Sequence, residues 1–150
     1  MTDAAGLTAL RAHMLATMGA DVGDGDAPWR TTCEQQIAAR LAGGEPFAAF
    51  VVDGDAVGEL AAGAVAWVDL HLCGVDGRAG VGYIANVSTL PGYQRQGLGR
   101  RVTEAAVTWL REETDVRRID LHATKQGEPI YRELGFGDHA QQPLMLRIER

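Results

Sequence analysis

Between residues 91 and 101 the chain reads Pro91-Gly92-Tyr93-Gln94-Arg95-Gln96-Gly97-Leu98-Gly99-Arg100-Arg101, and from Gly97 onward its apolar residues follow a 3.6-residue period. Glycine, glutamine and arginine therefore meet at a helix N-terminus. There the first-turn N–H groups lack intrahelical partners and the macrodipole places about half a positive charge, so the position suits an anion such as a phosphate. Gly97 and Gly99 leave room for close approach, and Arg95 and Arg100 offer charge-assisted contacts. The same residues also describe an ordinary glycine-softened helix start. Two other phosphate loops do not fit. No Gly-Lys-Ser/Thr ending is present, and a dinucleotide fingerprint would put a third glycine where Val102 stands, after a parallel βαβ unit.

The elements that must position this segment follow from periodicity. Leu7, Leu10, Met14, Leu15 and Met18 fall at helical spacing and predict a first helix with an apolar stripe, followed by a loop from Gly19 to Pro28. A second helix is expected from Thr32, with Gln35 as capping partner, ending at Gly43-Gly44. Strand patterns cover Phe47 to Val52, Val57 to Leu72 and Val81 to Thr89, separated by Asp53-Gly54 and Asp76-Gly77, which predicts an antiparallel meander. The middle run is long for a strand, and Gly63 marks a bulge or bend. The helix after Gly97 has Val102, Ala105, Ala106, Trp109 and Leu110 on its apolar face. Ile119 to Thr124 alternates as a strand, a short helix carries Ile130 and Leu134, and Phe136 to Ile148 reads as extended. The expected order is ααβββαβαβ.

The chain has 150 residues, 46% of them hydrophobic and 23% charged, the size and balance of one globular domain spanning residues 1–150. Its net charge of −6 speaks against nucleic acid, which needs a basic face. The charge is uneven. Residues 1–89 set four arginines against eleven carboxylates, giving −7, whereas residues 90–150 carry ten basic and nine acidic groups, giving +1. Apolar stretches break well before the ~18 residues of a membrane span, and no signal pattern opens the chain, so a soluble cytoplasmic protein is expected. Cys33 and Cys73 have no disulfide or zinc-site spacing and are expected to be reduced and partly buried.

The run Asn86-Val87-Ser88-Thr89-Leu90-Pro91, then Gln94-x-x-Gly97-x-Gly99, an amphipathic helix and a strand, and finally Tyr131-x-x-x-Gly135-Phe136 resembles the GNAT superfamily of N-acetyltransferases. The likeness covers about residues 45–148. It implies an α+β, three-layer fold: a mixed, mostly antiparallel sheet with helices on both faces and a V-shaped splay between the fourth and fifth strands. The family usually also has a strand before the first helix, of which Met1 to Gly6 offers little.

The resemblance further implies an enzyme that moves the acetyl group of acetyl-CoA to a primary amine by direct attack. A CoA-binding sensor or regulatory module with little or no turnover is the alternative. Backbone amides of Gln94, Arg95, Gln96, Gly97, Leu98, Gly99 and Arg100 would cradle the CoA pyrophosphate. Pantetheine would pair with Val87, Ser88 and Thr89, with the Val87 N–H donating to the thioester oxygen. Tyr131 would protonate the departing thiolate. Thr124 lies near a further pantetheine contact. An ammonium acceptor must also lose a proton. Glu59, Asp69, His71, Asn86 and His122 are expected on strands lining the acceptor cleft, with Glu59 and His122 the preferred pair. No metal is expected. The partner is a small-molecule or peptide amine, with neither nucleic acid nor membrane involved and a homodimer left open. The acidic first half favours a cationic acceptor.

Overall fold

In the computed structural model, which describes residues 3–150, four strands form one mixed sheet in the order β1-β2-β3-β4. The strands are β1 (Phe47–Asp53), β2 (Leu60–Leu70), β3 (Gly80–Thr89) and β4 (Ile119–Asp120). The first three form the expected antiparallel meander, and β4 joins β3 in parallel. The helices are α1 (Ala4–Thr17), α2 (Pro28–Ala42), α3 (Leu98–Glu113) and α4 (Glu128–Glu133), with one 3-10 turn at Pro91–Tyr93.

Side-chain alternation along the strands sorts the core into two layers. Leu7 and Leu10 of α1 and Ile37 of α2 pack with Val65, and Phe47, Ala49, Val51, Trp67 and Ala85 close around them. On the other face Ala62, Ala64, Ala66 and Ile84 meet Leu98, Val102, Ala106 and Leu110 of α3. The facing alanines of β2 are fully buried and let α3 lie close to the sheet. Gly63 does the same for α1, because a Cβ there would stand 2.9 Å from Leu10 and 3.1 Å from Leu7. The irregularity expected at Gly63 is present, since the β2–β3 register shifts between Gly63 and Val65.

That shift is a bulge in β3. Asn86 and Val87 together oppose Ala64, and Asn86 takes a left-handed φ of 56°, which asparagine tolerates better than most residues. Ala85 packs on the α1 side, Asn86 donates from Nδ2 to the Leu7 carbonyl at 3.2 Å, and Val87 then packs on the α3 side. One extra residue thus resets the alternation just before the strand reaches the site.

Several boundaries differ from expectation. The second helix starts at Pro28, not Thr32, because proline suits the first helical position, while Thr32 sits inside and bonds back to the Pro28 carbonyl. The fourth strand stops at Asp120 instead of reaching Thr124, because β3 pairs with it only through Gly82 and Tyr83. Alternating sequence without a partner makes no strand. For the same reason the segment after Phe136, expected to be extended, pairs with no strand among the described residues, and Leu144, Met145, Leu146 and Ile148 stand exposed. No strand precedes α1 among the described residues, and Cys73 is exposed while Cys33 is half-buried.

Candidate active site

The ladder between β3 and β4 ends at Tyr83–Asp120, so the edge of β3 from Ile84 to Thr89 has no strand beside it. The splay is expected between the fourth and fifth strands; with four strands among the described residues, the divergence falls between β3 and β4. The bared edge leads directly into the 3-10 turn and the start of α3. Gln94 ties the two together by donating from Nε2 to the Thr89 carbonyl at 3.2 Å.

The glycine segment then curls through two left-handed residues, Arg95 at φ 64° and Gly97 at φ 75°, before α3 begins at Leu98. Gly97 is the N-cap without any side-chain cap, so the first-turn N–H groups depend on an external acceptor. A Cβ on Gly97 would meet nothing within 4 Å, and one on Gly99 would meet only the Thr89 hydroxyl at 3.7 Å. The protein leaves that space clear, as an anion cradle requires. Thr103 holds the helix start from behind: it is fully buried and its hydroxyl donates to the Gly99 carbonyl at 2.7 Å.

A cavity of about 340 Å³ joins these parts. Val87, Ser88 and Thr89 form one side, the segment from Tyr93 to Arg100 another, and Thr124, Gly127, Ile130 and Tyr131 a third. Helix α1 closes it with His13, Met14 and Thr17. Tyr131 is 9% exposed, its ring edge-on to Phe136 at 6.1 Å. Burial pushes its phenol above the ordinary value, so the group is held protonated, as a proton donor must be.

The sequence model of the acetyltransferase (GNAT) family matches residues 14–136. The chain belongs to the GNAT acetyltransferase family. It is 50% identical over 44 residues to the uncharacterized N-acetyltransferase YitH of Bacillus subtilis, a stretch covering 29% of this chain and 14% of that protein. Among solved structures, a predicted acetyltransferase from Clostridium acetobutylicum, crystallised with acetyl-CoA, superposes with a TM-score of 0.76 at 19% identity, over 93% of this chain and 87% of the other. A GCN5-related N-acetyltransferase from Ralstonia eutropha gives a TM-score of 0.75 at 21% identity, over 93% and 90%. At such identities the likeness is one of fold.

Within this GNAT acetyltransferase the residues expected to hold the cofactor come together. Val87, Ser88, Thr89, Gln94, Arg95, Gly97, Leu98, Gly99 and Arg100 all line the one cavity, and Gln96 lies within the same exposed turn. Arg100 is already engaged, paired with Glu104 at 3.1 Å and with Glu133 of α4, and these carboxylates raise its pKa further. It braces α3 against α4, which leaves Arg95 as the unpaired arginine of this segment among the described residues. Thr124 also lines the cavity, with its hydroxyl accepting from the Gly127 N–H at 3.1 Å.

The candidate bases lie elsewhere. Glu59 precedes β2, and its carboxylate accepts from the Tyr93 hydroxyl at 2.5 Å while that hydroxyl accepts from the Asp55 N–H at 2.8 Å. It latches the β1–β2 turn to the 3-10 turn and does not line the cavity. The hydrogen bond to Glu59 raises the Tyr93 pKa. His122 lies beyond the short β4, its Nδ1 2.9 Å from the Tyr83 hydroxyl and its ring edge-on to Tyr83. It ends a ladder running from Arg40 over Phe47 and Trp67 to Tyr83. Asp69 belongs to that ladder through a 2.7 Å bond from Trp67 Nε1, and His71 is exposed past the end of β2. Asn86 donates its Nδ2 to Leu7, while its buried Oδ1 has no hydrogen-bond partner among the described residues.

The sequence reading missed His13, Thr17 and Tyr93 as cavity residues. His13 and Thr17 stand one turn apart on α1, so both lie on the face that continues past the buried Leu7 and Leu10. A polar i, i+4 pair beside an apolar stripe is the signal that marks such a helix edge.

Proposed function

We propose that this acetyltransferase moves the acetyl group of acetyl-CoA to the nitrogen of a primary amine, in a small molecule or a peptide, by direct attack. The observation that carries the reading is the single cavity onto which the bared β3 edge, the uncapped start of α3 and the protonated Tyr131 all open. Acetyl-CoA supplies the activated thioester carbonyl. Backbone amides from Gln94 to Arg100 would hold its pyrophosphate, the Val87–Thr89 edge would pair with the pantetheine amides, and the Val87 N–H would donate to the carbonyl oxygen where negative charge develops. The amine nitrogen bonds to the carbonyl carbon, the C–S bond breaks toward sulfur, and sulfur takes the Tyr131 proton.

Direct attack is supported by the cysteines, since neither Cys33 nor Cys73 lines the cavity. We read residues 1–150 as one such domain acting in the cytoplasm; no described helix is long and apolar enough to cross a membrane. The test is thermal stabilisation by acetyl-CoA followed by thiol release over a set of amines. Acetyl-CoA should raise the midpoint, and at least one amine should release CoA thiol. Stabilisation without thiol release from any amine would instead leave a CoA-binding regulatory module.

A further inference from the structure

The transfer also needs a group that deprotonates the acceptor ammonium, and the cavity itself narrows the choice. Of its lining side chains only His13, Tyr93, Arg95, Arg100 and Tyr131 are ionisable, and no carboxylate lines it among the described residues. Both arginines are permanently charged, and both tyrosines have raised pKa values, so none of these four accepts a proton near neutrality. Imidazole is the side chain suited to do so. We propose that His13 is the general base of the transfer, taking one proton from the acceptor ammonium before attack. This rests on the acetyl-CoA-to-amine reading of the same cavity.

The fold places His13 firmly. It follows Leu7 by six residues, about 9 Å along α1. At Leu7 the helix is pinned to the sheet by the Asn86 side-chain bond and by close contact over Gly63. That bond comes from the β3 bulge beside Val87, so the element carrying the base is fixed to the backbone that would hold the thioester. His13 is half-buried and lines, with Met14 and Thr17, the same cavity as Tyr131. Neither Arg11 of α1, nor Arg30, Glu34 or Arg40 of α2, nor Asp69 of β2 lines the cavity, and β3 contributes only the uncharged Val87, Ser88 and Thr89.

The protons balance as follows. His13 takes one from the ammonium and passes it to solvent. The amine nitrogen forms the C–N bond and the C–S bond breaks. Sulfur takes the Tyr131 hydroxyl proton, and the new amide nitrogen gives its surplus proton back to the Tyr131 phenolate. The products are amide, free thiol and one released proton.

The test compares His13→Gln with the wild type on two acceptors at pH 7.5: the best substrate among a polyamine, an aminoglycoside and a lysine peptide, and hydroxylamine, which is already neutral, with the uncatalysed reaction subtracted. With the ammonium acceptor kcat/KM should fall about 100-fold, with hydroxylamine less than about threefold, and acetyl-CoA affinity should stay within about twofold. Exogenous imidazole should restore part of the activity of His13→Ala. Equal losses on both acceptors, or an ammonium acceptor turned over within twofold of wild type, would overturn the base assignment while leaving the transferase reading intact. A wild type that binds acetyl-CoA but acetylates none of these amines would overturn both.

Discussion

The wall proposed to hold the cofactor comes from one continuous stretch, Val87 to Arg100, whereas α1 and α4 bring further lining side chains from opposite ends of the chain as a second wall. On the proposed reading the first wall would work through N–H groups, an unpaired strand edge and the absence of Cβ atoms at Gly97 and Gly99. The second would work through the identity of single side chains, His13 and Tyr131, held by packing. Damage to the first wall should therefore abolish binding through added bulk, while damage to the second should slow turnover through lost chemistry with binding retained.

The largest effect is expected at Gly99. Valine at Gly97 would confound the test, because the left-handed φ there costs a branched residue about 1–2 kcal/mol before any ligand is considered. Gly99→Val avoids this: the protein offers its Cβ only an ordinary 3.7 Å contact, so the fold should survive while the cradle is filled. Calorimetry should find acetyl-CoA affinity reduced by roughly 100-fold or more at an unchanged melting temperature. Retained affinity would mean the pyrophosphate lies elsewhere.

Tyr131→Phe addresses the second wall. Phenylalanine preserves the edge contact with Phe136, so only the hydroxyl is lost. Turnover should fall about 10- to 1000-fold with acetyl-CoA affinity nearly constant, the pattern of an interaction made mainly in the transition state. The direction of the pKa shift adds a second observable. Because burial raises the phenol, the protonated form persists past the ordinary value of ~10, and the alkaline fall of kcat due to Tyr131 should lie above that pH. An alkaline limb below pH ~10 that disappears in the phenylalanine variant would show an acidified tyrosine, contrary to this environment.

The same contrast explains what the sequence alone discloses. A wall of contiguous backbone leaves a contiguous motif, and the segment around Gly97 and Gly99 was legible from its glycines and its place before an amphipathic helix. Tyr131 was legible through its spacing from Gly135 and Phe136. The base proposed at His13 left no such motif: the sequence favoured Glu59 and His122, which lie near predicted strand ends and in the fold hydrogen-bond to Tyr93 and Tyr83, partners far away in sequence. The truncated β4 has a similar cause, since alternation cannot reveal that the neighbouring strand diverges after Tyr83.

The Glu59–Tyr93 latch ties the first wall to the β1–β2 turn and should have a smaller effect. Tyr93→Phe removes the hydroxyl that accepts from Asp55 and donates to Glu59, loosening the turn that precedes Gln94. KM for acetyl-CoA should rise roughly three- to tenfold with kcat within about twofold, since the ordering of the cradle is then left to the ligand. A large fall in kcat instead would return Glu59 to the chemistry.

The smallest effect concerns charge. Residues 1–89 carry a net −7, which favours cationic acceptors, yet no carboxylate lines the cavity among the described residues. Attraction of an ammonium acceptor then acts at a distance, on encounter, and not through an ion pair in the site. Raising salt from 50 to 500 mM shortens the screening length from about 14 to about 4 Å, which removes steering but spares contact pairs far more. With acetyl-CoA saturating, kcat/KM for a cationic acceptor should therefore fall only about two- to threefold, and kcat should not move. A tenfold fall would reveal a carboxylate touching the acceptor, extending the side-chain wall beyond α1 and α4. An anionic best acceptor would strip the acidic half of the chain of any part in substrate choice.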